Sequence, residues 1–79
     1  MKRPKFCALV LSVFRDYAHH EMRTVDVFKY LNENGNAYKA IGNFYAAMSD
    51  LAREGWIVRT AEDKQGVWYA LNLNRGKHG

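Results

Sequence analysis

The chain has 79 residues, of which 48% are hydrophobic and 25% charged, as expected for one small globular domain. Twelve lysines and arginines against eight acidic residues give a formal net charge of +4 at pH 7. The single cysteine excludes an internal disulfide, and the longest apolar run, Cys7 to Leu11, is far shorter than the roughly 20 residues that cross a bilayer. We expect one domain over residues 1–79, with its core at about 4–72, in the reducing cytoplasm and without a membrane.

Apolar residues at helical spacing predict a first helix over about 4–18, which Pro4 is suited to begin. One apolar stripe of this helix contains Phe6, Leu9, Val10, Val13 and Tyr17. A second stripe beside it contains Cys7, Leu11 and Phe14. A short extended link at 22–23 leads to a second helix over 25–34, with Thr24 as its N-cap and a left-handed turn at Gly35.

The clearest periodicity predicts a third helix that starts at residue 37 or 40 and ends at Arg53, before Gly55. Its expected buried face contains Ile41, Phe44, Tyr45, Met48, Leu51 and Ala52. Residues that favour β-structure then predict a hairpin of strands over 56–60 and 67–71, joined by a polar turn that contains Gly66. Alternation along the hairpin directs Ile57, Tyr69 and Leu71 toward the core, and Trp68 away from it.

The tight turn between the second and third helices is typical of a helix-turn-helix. The segment 43–57, with Tyr45, Met48, Leu51 and the Glu54-Gly55 pair, resembles the third helix and first wing strand of winged-helix transcription regulators of the PadR type. The segment 66–72 resembles their second wing strand, so the resemblance covers about 6–72. It implies an α+β winged-helix fold, with a three-helix helix-turn-helix core and a C-terminal β-hairpin wing. It also implies double-stranded DNA as partner, with the third helix in the major groove and the wing on the backbone.

Candidate DNA contacts follow from the side chains of the third helix and the wing. Lys39 suits a phosphate or guanine, and the amide of Asn43 matches the donor and acceptor of adenine. Gly42 and Ala46 are small enough for the helix to approach the bases closely. Arg59, which we expect to lie apart from the acidic wing tip, and Lys64 are candidates to grip the backbone, with Gln65 beside them. These are our predicted DNA-binding residues: Lys39, Gly42, Asn43, Ala46, Arg59, Lys64 and Gln65.

The second stripe of the first helix has no obvious partner in so small a core. PadR-type proteins dimerise through a helical segment that follows the wing, and this chain ends soon after its wing. We therefore expect Cys7, Leu11 and Phe14 to form the interface of a homodimer that presents two recognition helices to a two-fold DNA site. The alternative is that this stripe packs beneath the second helix or the tail.

The charge distribution keeps other functions open. The net charge over 6–74 is −1, because five of the basic residues, from Lys2 to Lys5 and at Arg75 and Lys77, lie near the two ends. The main alternative is a winged-helix module that binds a protein, as an adaptor or inhibitor, with the outward-facing Trp68 as contact. Binding of single-stranded nucleic acid is a third possibility, and it needs aromatic side chains along a basic groove.

No pattern of catalytic residues appears in the sequence, so we expect no enzymatic activity. There is no nucleophile next to a base, no pair of acids and no glycine-rich phosphate loop. His19 and His20 are adjacent, and their side chains diverge too far to share a metal ion. We accordingly predict neither a metal nor a cofactor.

Overall fold

A computed structural model describes residues 5–35 and 40–74. Three helices and three strands follow one another as α1 (Lys5–Asp16), β1 (Met22–Arg23), α2 (Thr24–Glu33), α3 (Gly42–Arg53), β2 (Ile57–Asp63) and β3 (Gly66–Leu71). The strands form one antiparallel sheet in the order β1-β3-β2, which packs beside the helices. The three helices and the hairpin follow one another in the order predicted from the sequence. None of the described helices is long and apolar enough to cross a membrane.

The predicted link at 22–23 is in fact a third strand. Met22 pairs with Tyr69 and Arg23 pairs with Trp68, so the chain joins the hairpin edge immediately before α2 begins. Thr24 is the first residue of α2 and is buried, and Arg23 occupies the N-cap position instead. The Asp26 carboxylate, one turn into the helix, accepts a hydrogen bond from the backbone N–H of Arg23 at 2.9 Å.

Glycines end α3 and shape the turns, as predicted. Gly55 has a φ of +83°, and the N–H of the next residue, Trp56, donates to the carbonyl of Leu51 at 2.9 Å, which is the hydrogen bond of a Schellman cap. Gly35 has a φ of +96° and Gly66 a φ of +132°. The hairpin strands are longer than predicted, because the pairing extends from Ile57 opposite Leu71 to Asp63 opposite Gly66.

One core lies between the helices and the inner face of the sheet. Phe44 of α3 is its centre, with edge-to-face contacts to Phe6 at 4.8 Å and Phe28 at 5.1 Å between ring centroids. Ile57 is buried, and Tyr69 and Leu71 pack against the same core, which confirms the inward orientation predicted for these three residues. The buried hydrophobic residues are Cys7, Val10, Leu11, Val13, Phe14, Val27, Leu31, Phe44, Ala47, Met48, Leu51 and Ile57.

The prediction of a dimer interface at Cys7, Leu11 and Phe14 is wrong. All three side chains are buried within a single chain, and none is available to a second copy. The physical reason is the position of α1, which packs against both α3 and the sheet and so needs two adjacent apolar stripes. Tyr17, assigned to the other stripe, is exposed, and its ring lies against that of Tyr30.

Candidate nucleic-acid interface

The outward side of α3 is exposed along most of the helix. Gly42, Asn43, Tyr45, Ala46 and Ser49 are all exposed along it. The side chains are small or able to form hydrogen bonds, and none of the five carries a charge. Such a surface can enter a groove closely and present donors and acceptors to base edges.

The orientation of α3 differs from the prediction. Tyr45, assigned to the buried face, has 56% of its surface exposed, whereas Ala47, left out of that face, is buried. The buried positions of α3 are Phe44, Ala47, Met48 and Leu51, which follow the ideal spacing of i, i+3, i+4 and i+7. This spacing was hard to recognise in the sequence, because Tyr45 adds an apolar side chain outside it and Ala47 contributes only a small one. Tyr45 and Ser49 are therefore additions to the predicted interface.

Four predicted contacts lie near the start of α3. Gly42, Asn43 and Ala46 are exposed, as the prediction requires. Asn43 and Ala46 also line an open groove of about 440 Å³ that Phe6 and Asp50 border. Lys39, the fourth, falls outside the described residues, so its predicted contact with phosphate or guanine stays a prediction.

The two exposed arginines of this region are paired with carboxylates. Arg53 at the end of α3 forms an ion pair with Asp50, and Arg59 of β2 forms one with Glu62. The prediction that Arg59 lies apart from the acidic wing tip is thus wrong. The prediction failed because of a β-bulge at Thr60. Arg59 pairs with Tyr69, but Ala61 pairs with the next residue, Trp68. The alternation of side chains therefore shifts by one residue, and Glu62 lies on the same face as Arg59.

The wing tip exposes Lys64 and Gln65. The N–H of Gln65 donates to Oδ1 of Asp63 at 2.8 Å, which tightens the two-residue turn. Beside the tip lies a crevice of about 200 Å³ between the wing and the helices, with Tyr45 on the α3 side and Val67 and Tyr69 on the wing side. Side chains from α3 and from the wing thus face the same space.

Trp68 is partly covered over its own sheet, which was the alternative to its role as an exposed contact. The Arg23 guanidinium lies over its ring, with 4.8 Å from Cζ to the ring centroid, and its indole Nε1–H donates to Oδ2 of Asp63 at 3.0 Å. Alternation does turn Trp68 away from the core, but β1 brings Arg23 alongside it. A large apolar side chain that is exposed near this strand is Val58, which is opposite Ala70.

The charge of the described residues does not form a strongly basic surface. Residues 5–35 and 40–74 hold seven basic and eight acidic residues, a formal net charge of −1. The five remaining basic residues are Lys2, Arg3, Lys39, Arg75 and Lys77, all outside those ranges. In the described ranges, no cluster of three or more His, Cys, Asp or Glu side chains is arranged to hold a metal ion.

A comparison with solved structures finds a ferric uptake regulator from Francisella tularensis, in a structure with iron, at a TM-score of 0.80 and 24% sequence identity. The match covers 95% of this chain and 56% of the regulator, so the chain spans just over half of that protein's length. No protein-family model and no curated protein matches the sequence. The likeness, together with the order of helices and strands, confirms the winged-helix fold. It does not extend to the PadR type in particular, which stays a prediction.

Proposed function

We propose that this chain binds double-stranded DNA in a sequence-specific manner, as a winged-helix transcription regulator. The observation that carries the proposal is the uncovered side of α3 on the second helix of a helix-turn-helix. Five uncharged residues are exposed there, bordered by the ion pair of Asp50 and Arg53: Gly42, Asn43, Tyr45, Ala46 and Ser49. In this arrangement α3 enters the major groove, and the wing follows the backbone. The solved structure with the same fold, itself a regulator, supports this function.

The residues have separate roles in the proposed complex. Asn43 reads a base edge, while Gly42 and Ala46 allow the close approach of the helix axis. Tyr45 offers an apolar ring and a hydroxyl at the boundary between the groove and the wing. Lys64, Gln65 and Arg59 contact phosphates, which adds affinity without sequence information, and Arg59 must first leave Glu62.

The test is a fluorescence anisotropy titration with duplexes selected from a random pool, compared with an unselected duplex. Ala46→Glu places a carboxylate at the centre of the exposed side of α3 and should weaken binding to the selected duplex by tenfold or more, on the order of 1–3 kcal/mol. Ala8→Glu is the matched control, because Ala8 is an exposed alanine of α1. It should change the affinity by less than about twofold, as expected for one added charge away from the interface.

Two outcomes would contradict the proposal. The first is that the wild-type chain binds no duplex even at low salt. The second is that Ala46→Glu and Ala8→Glu weaken binding equally, which would indicate a general effect of charge rather than contact by α3.

A protein-binding module is the second candidate function, and the charge pairing favours it. Neither Arg53 nor Arg59 is a free cation, and Val58 exposes 41% of its surface on the outer face of the sheet. With Trp68 covered by Arg23, Val58 replaces it as the expected contact. A wild-type chain that binds no DNA at low salt would make this function the leading one, and Val58→Asp would be the first variant to test for loss of a partner.

The predicted homodimer and cytoplasmic location remain parts of this proposal. A dimer requires a surface other than Cys7, Leu11 and Phe14, since those residues are buried. Sedimentation equilibrium of the free chain and of its complex with a two-fold duplex measures the number of copies directly.

A further inference from the structure

Arg23 contacts three separate parts of the fold. Its Nε and Nη2 atoms donate to the two carboxylate oxygens of Asp26, at 3.0 and 2.9 Å, which ties it to the first turn of α2. Its guanidinium lies over the ring of Trp68 in β3. Its Nη1 atom donates to the carbonyl of Gln65, at the wing tip, at 3.4 Å. One side chain therefore joins the start of α2 to the wing.

These contacts differ from those of an ordinary surface ion pair. The Arg23 and Asp26 side chains are only 26% and 33% exposed, and the pairing is bidentate, which fixes the plane of the guanidinium. The hydrogen bond from Arg23 lowers the pKa of Asp26, so the carboxylate stays charged. The flat guanidinium can stack on the indole at the same time, a combination that lysine does not reproduce.

The carboxylate of Asp63 completes the connection. It accepts the indole N–H of Trp68 through Oδ2 and the backbone N–H of Gln65 through Oδ1. Trp68 is thereby fixed to the turn that carries Lys64 and Gln65. Trp68 and Asp63 therefore connect Arg23 to the wing tip.

The wing has few other contacts at this distance from the core. Ile57 and Leu71, which pair at its base, pack on the helices, whereas all the later residues of β2 are exposed. β1 pairs with β3 only at Met22 and Arg23. Arg23 is thus the side chain that holds the far half of the wing beside the crevice that Tyr45 borders.

We propose that Arg23 is a positioning residue that sets the distance between the wing tip and α3, so that Lys64 and Gln65 meet the DNA backbone while α3 lies in the major groove. This role rests on the proposed function. It assigns to Arg23 and Trp68 a part in DNA recognition that acts through the position of the wing.

The first part of the test needs no DNA. Backbone ¹⁵N heteronuclear NOE values are measured for the wing tip, residues 64–66, and for α3 in the wild type and in Arg23→Ala. The variant should lower the values at the tip and leave those of α3 unchanged. Arg15→Ala is the matched control, because Arg15 stacks on the other tryptophan, Trp56, at 5.9 Å and lies on α1. It should leave the tip unchanged.

The second part measures binding and hydroxyl-radical footprints on a selected duplex. Arg23→Ala should weaken binding about five- to twentyfold and remove protection at the phosphates next to the wing, with the base preference of α3 retained. Trp68→Leu, which keeps Arg23 but removes the ring beneath it, should have the same effects. Trp68→Phe keeps an aromatic ring and should restore most of the affinity.

The outcomes separate this proposal from the function on which it rests. A wing tip that stays as ordered in Arg23→Ala as in the wild type overturns the positioning role, whatever the DNA result. If Trp68→Leu binds DNA normally while Arg23→Ala does not, Arg23 is a direct phosphate contact and the proposal is wrong. If the wild type binds no DNA, the proposed function fails, and with it the role in recognition, even where the NOE values confirm that Arg23 orders the wing.

Discussion

Within residues 5–35 and 40–74, three arginines each pair with a carboxylate three residues away, and the consequences depend on exposure. Arg23 and Asp26 are partly covered and held by other contacts, whereas Arg53–Asp50 and Arg59–Glu62 are open to solvent. Exposed pairs of this kind contribute about 0–1 kcal/mol to stability. In the proposed complex with DNA, each carboxylate competes with a phosphate for its arginine.

Removing that competition should strengthen DNA binding. We expect Glu62→Gln to raise the affinity for a duplex about two- to fivefold at low salt, because Arg59 becomes free for a phosphate contact. The slope of log K against log salt should steepen by less than about 0.9, the value for one extra phosphate contact, because Arg59 contacts a phosphate in both proteins. Fluorescence anisotropy across a salt series measures both quantities.

Glu33→Gln is the control for this prediction. Glu33 is an exposed acid at the end of α2, so the substitution makes the same change of net charge away from the wing. An equal gain in affinity from both variants would show that only net charge matters, and would contradict a specific effect at Arg59.

The Asp26 carboxylate gives stability a pH dependence of defined sign. Its pKa lies below the ordinary value of 3.8, chiefly because the Arg23 side chain donates hydrogen bonds to it. The folded state therefore favours the charged form, and the stabilisation is complete above about pH 5. It is lost as the pH falls through 3.8 toward the lower pKa of the folded state.

Asp26→Asn tests this sign. At pH 7 the variant should be less stable than the wild type by about 1 kcal/mol, a typical value for loss of a capping group. The difference should narrow as the pH falls from 5 to 3, because the wild-type carboxyl becomes protonated. Urea unfolding at several pH values measures the difference, with Glu33→Gln as control. A difference that stays constant over this range would show that charge at Asp26 is irrelevant.

At the scale of elements, the three helices share one spacing of buried residues, and this spacing is present in the sequence. Each buries positions at i, i+3 and i+7, often with i+4: α1 from Cys7 to Phe14, α2 from Thr24 to Leu31, and α3 from Phe44 to Leu51. Tyr17 and Tyr45 obscured this spacing, because an aromatic side chain adds apolar character whether or not it is buried. The sequence therefore predicted the helices well, and their rotation less well.

The turns allow a prediction in which two glycines have opposite effects. Gly66 has a positive φ that a side chain rarely adopts, whereas Gly42 is the first residue of α3 and has open space where a Cβ would be. Gly66→Ala should lower stability by about 1–2 kcal/mol, and Gly42→Ala should raise it by about 0.5–1 kcal/mol. In a domain of this size, 1 kcal/mol corresponds to a shift in Tm of about 4–8 °C.

Differential scanning calorimetry measures both shifts. If both substitutions lowered Tm alike, loss of a glycine would be harmful in itself, and the backbone at residue 66 would not explain the result. Gly42→Ala also adds a methyl group to the exposed side of α3, so its DNA affinity is measured separately from its stability.

At the scale of the molecule, the burial of the second stripe of α1 shows that it belongs to the core of one chain and not to a dimer interface. Leu11 is fully buried in one chain, so Leu11→Ala should destabilise it by about 2–5 kcal/mol through the lost contacts and the cavity. This loss of unfolding free energy should not depend on protein concentration. Leu9→Ala, at a partly buried position of the same helix, is the control and should cost less.

Chemical denaturation over a hundredfold range of concentration checks this. A dimer interface at Leu11 would make the midpoint of the wild type rise with concentration, and would make that of Leu11→Ala insensitive to it. If the difference between the midpoints of the wild type and Leu11→Ala is the same at every concentration, Leu11 is a core residue.

Much of this protein follows from the sequence by itself. Periodicity predicts three helices, and the pattern at 56–71 predicts a hairpin. Glycines mark the left-handed turn at Gly35, the end of α3 at Gly55 and the hairpin turn at Gly66, because these features depend on neighbours within a few residues. The order of these elements indicates a helix-turn-helix, and the resemblance of 43–57 and 66–72 to winged-helix regulators implies the full fold. The exposure of Gly42, Asn43 and Ala46 was also predictable, since small and polar residues recur on one side of α3.

Only the tertiary structure decided which groups meet across the chain. The bulge at Thr60 brought Glu62 to Arg59, and the pairing of β1 with β3 placed Arg23 over Trp68. The packing of α1 against both α3 and the sheet buried Leu11, which its own periodicity left open to a second copy. Strand register and helix packing depend on contacts between residues far apart in sequence, and local spacing carries no information about those contacts.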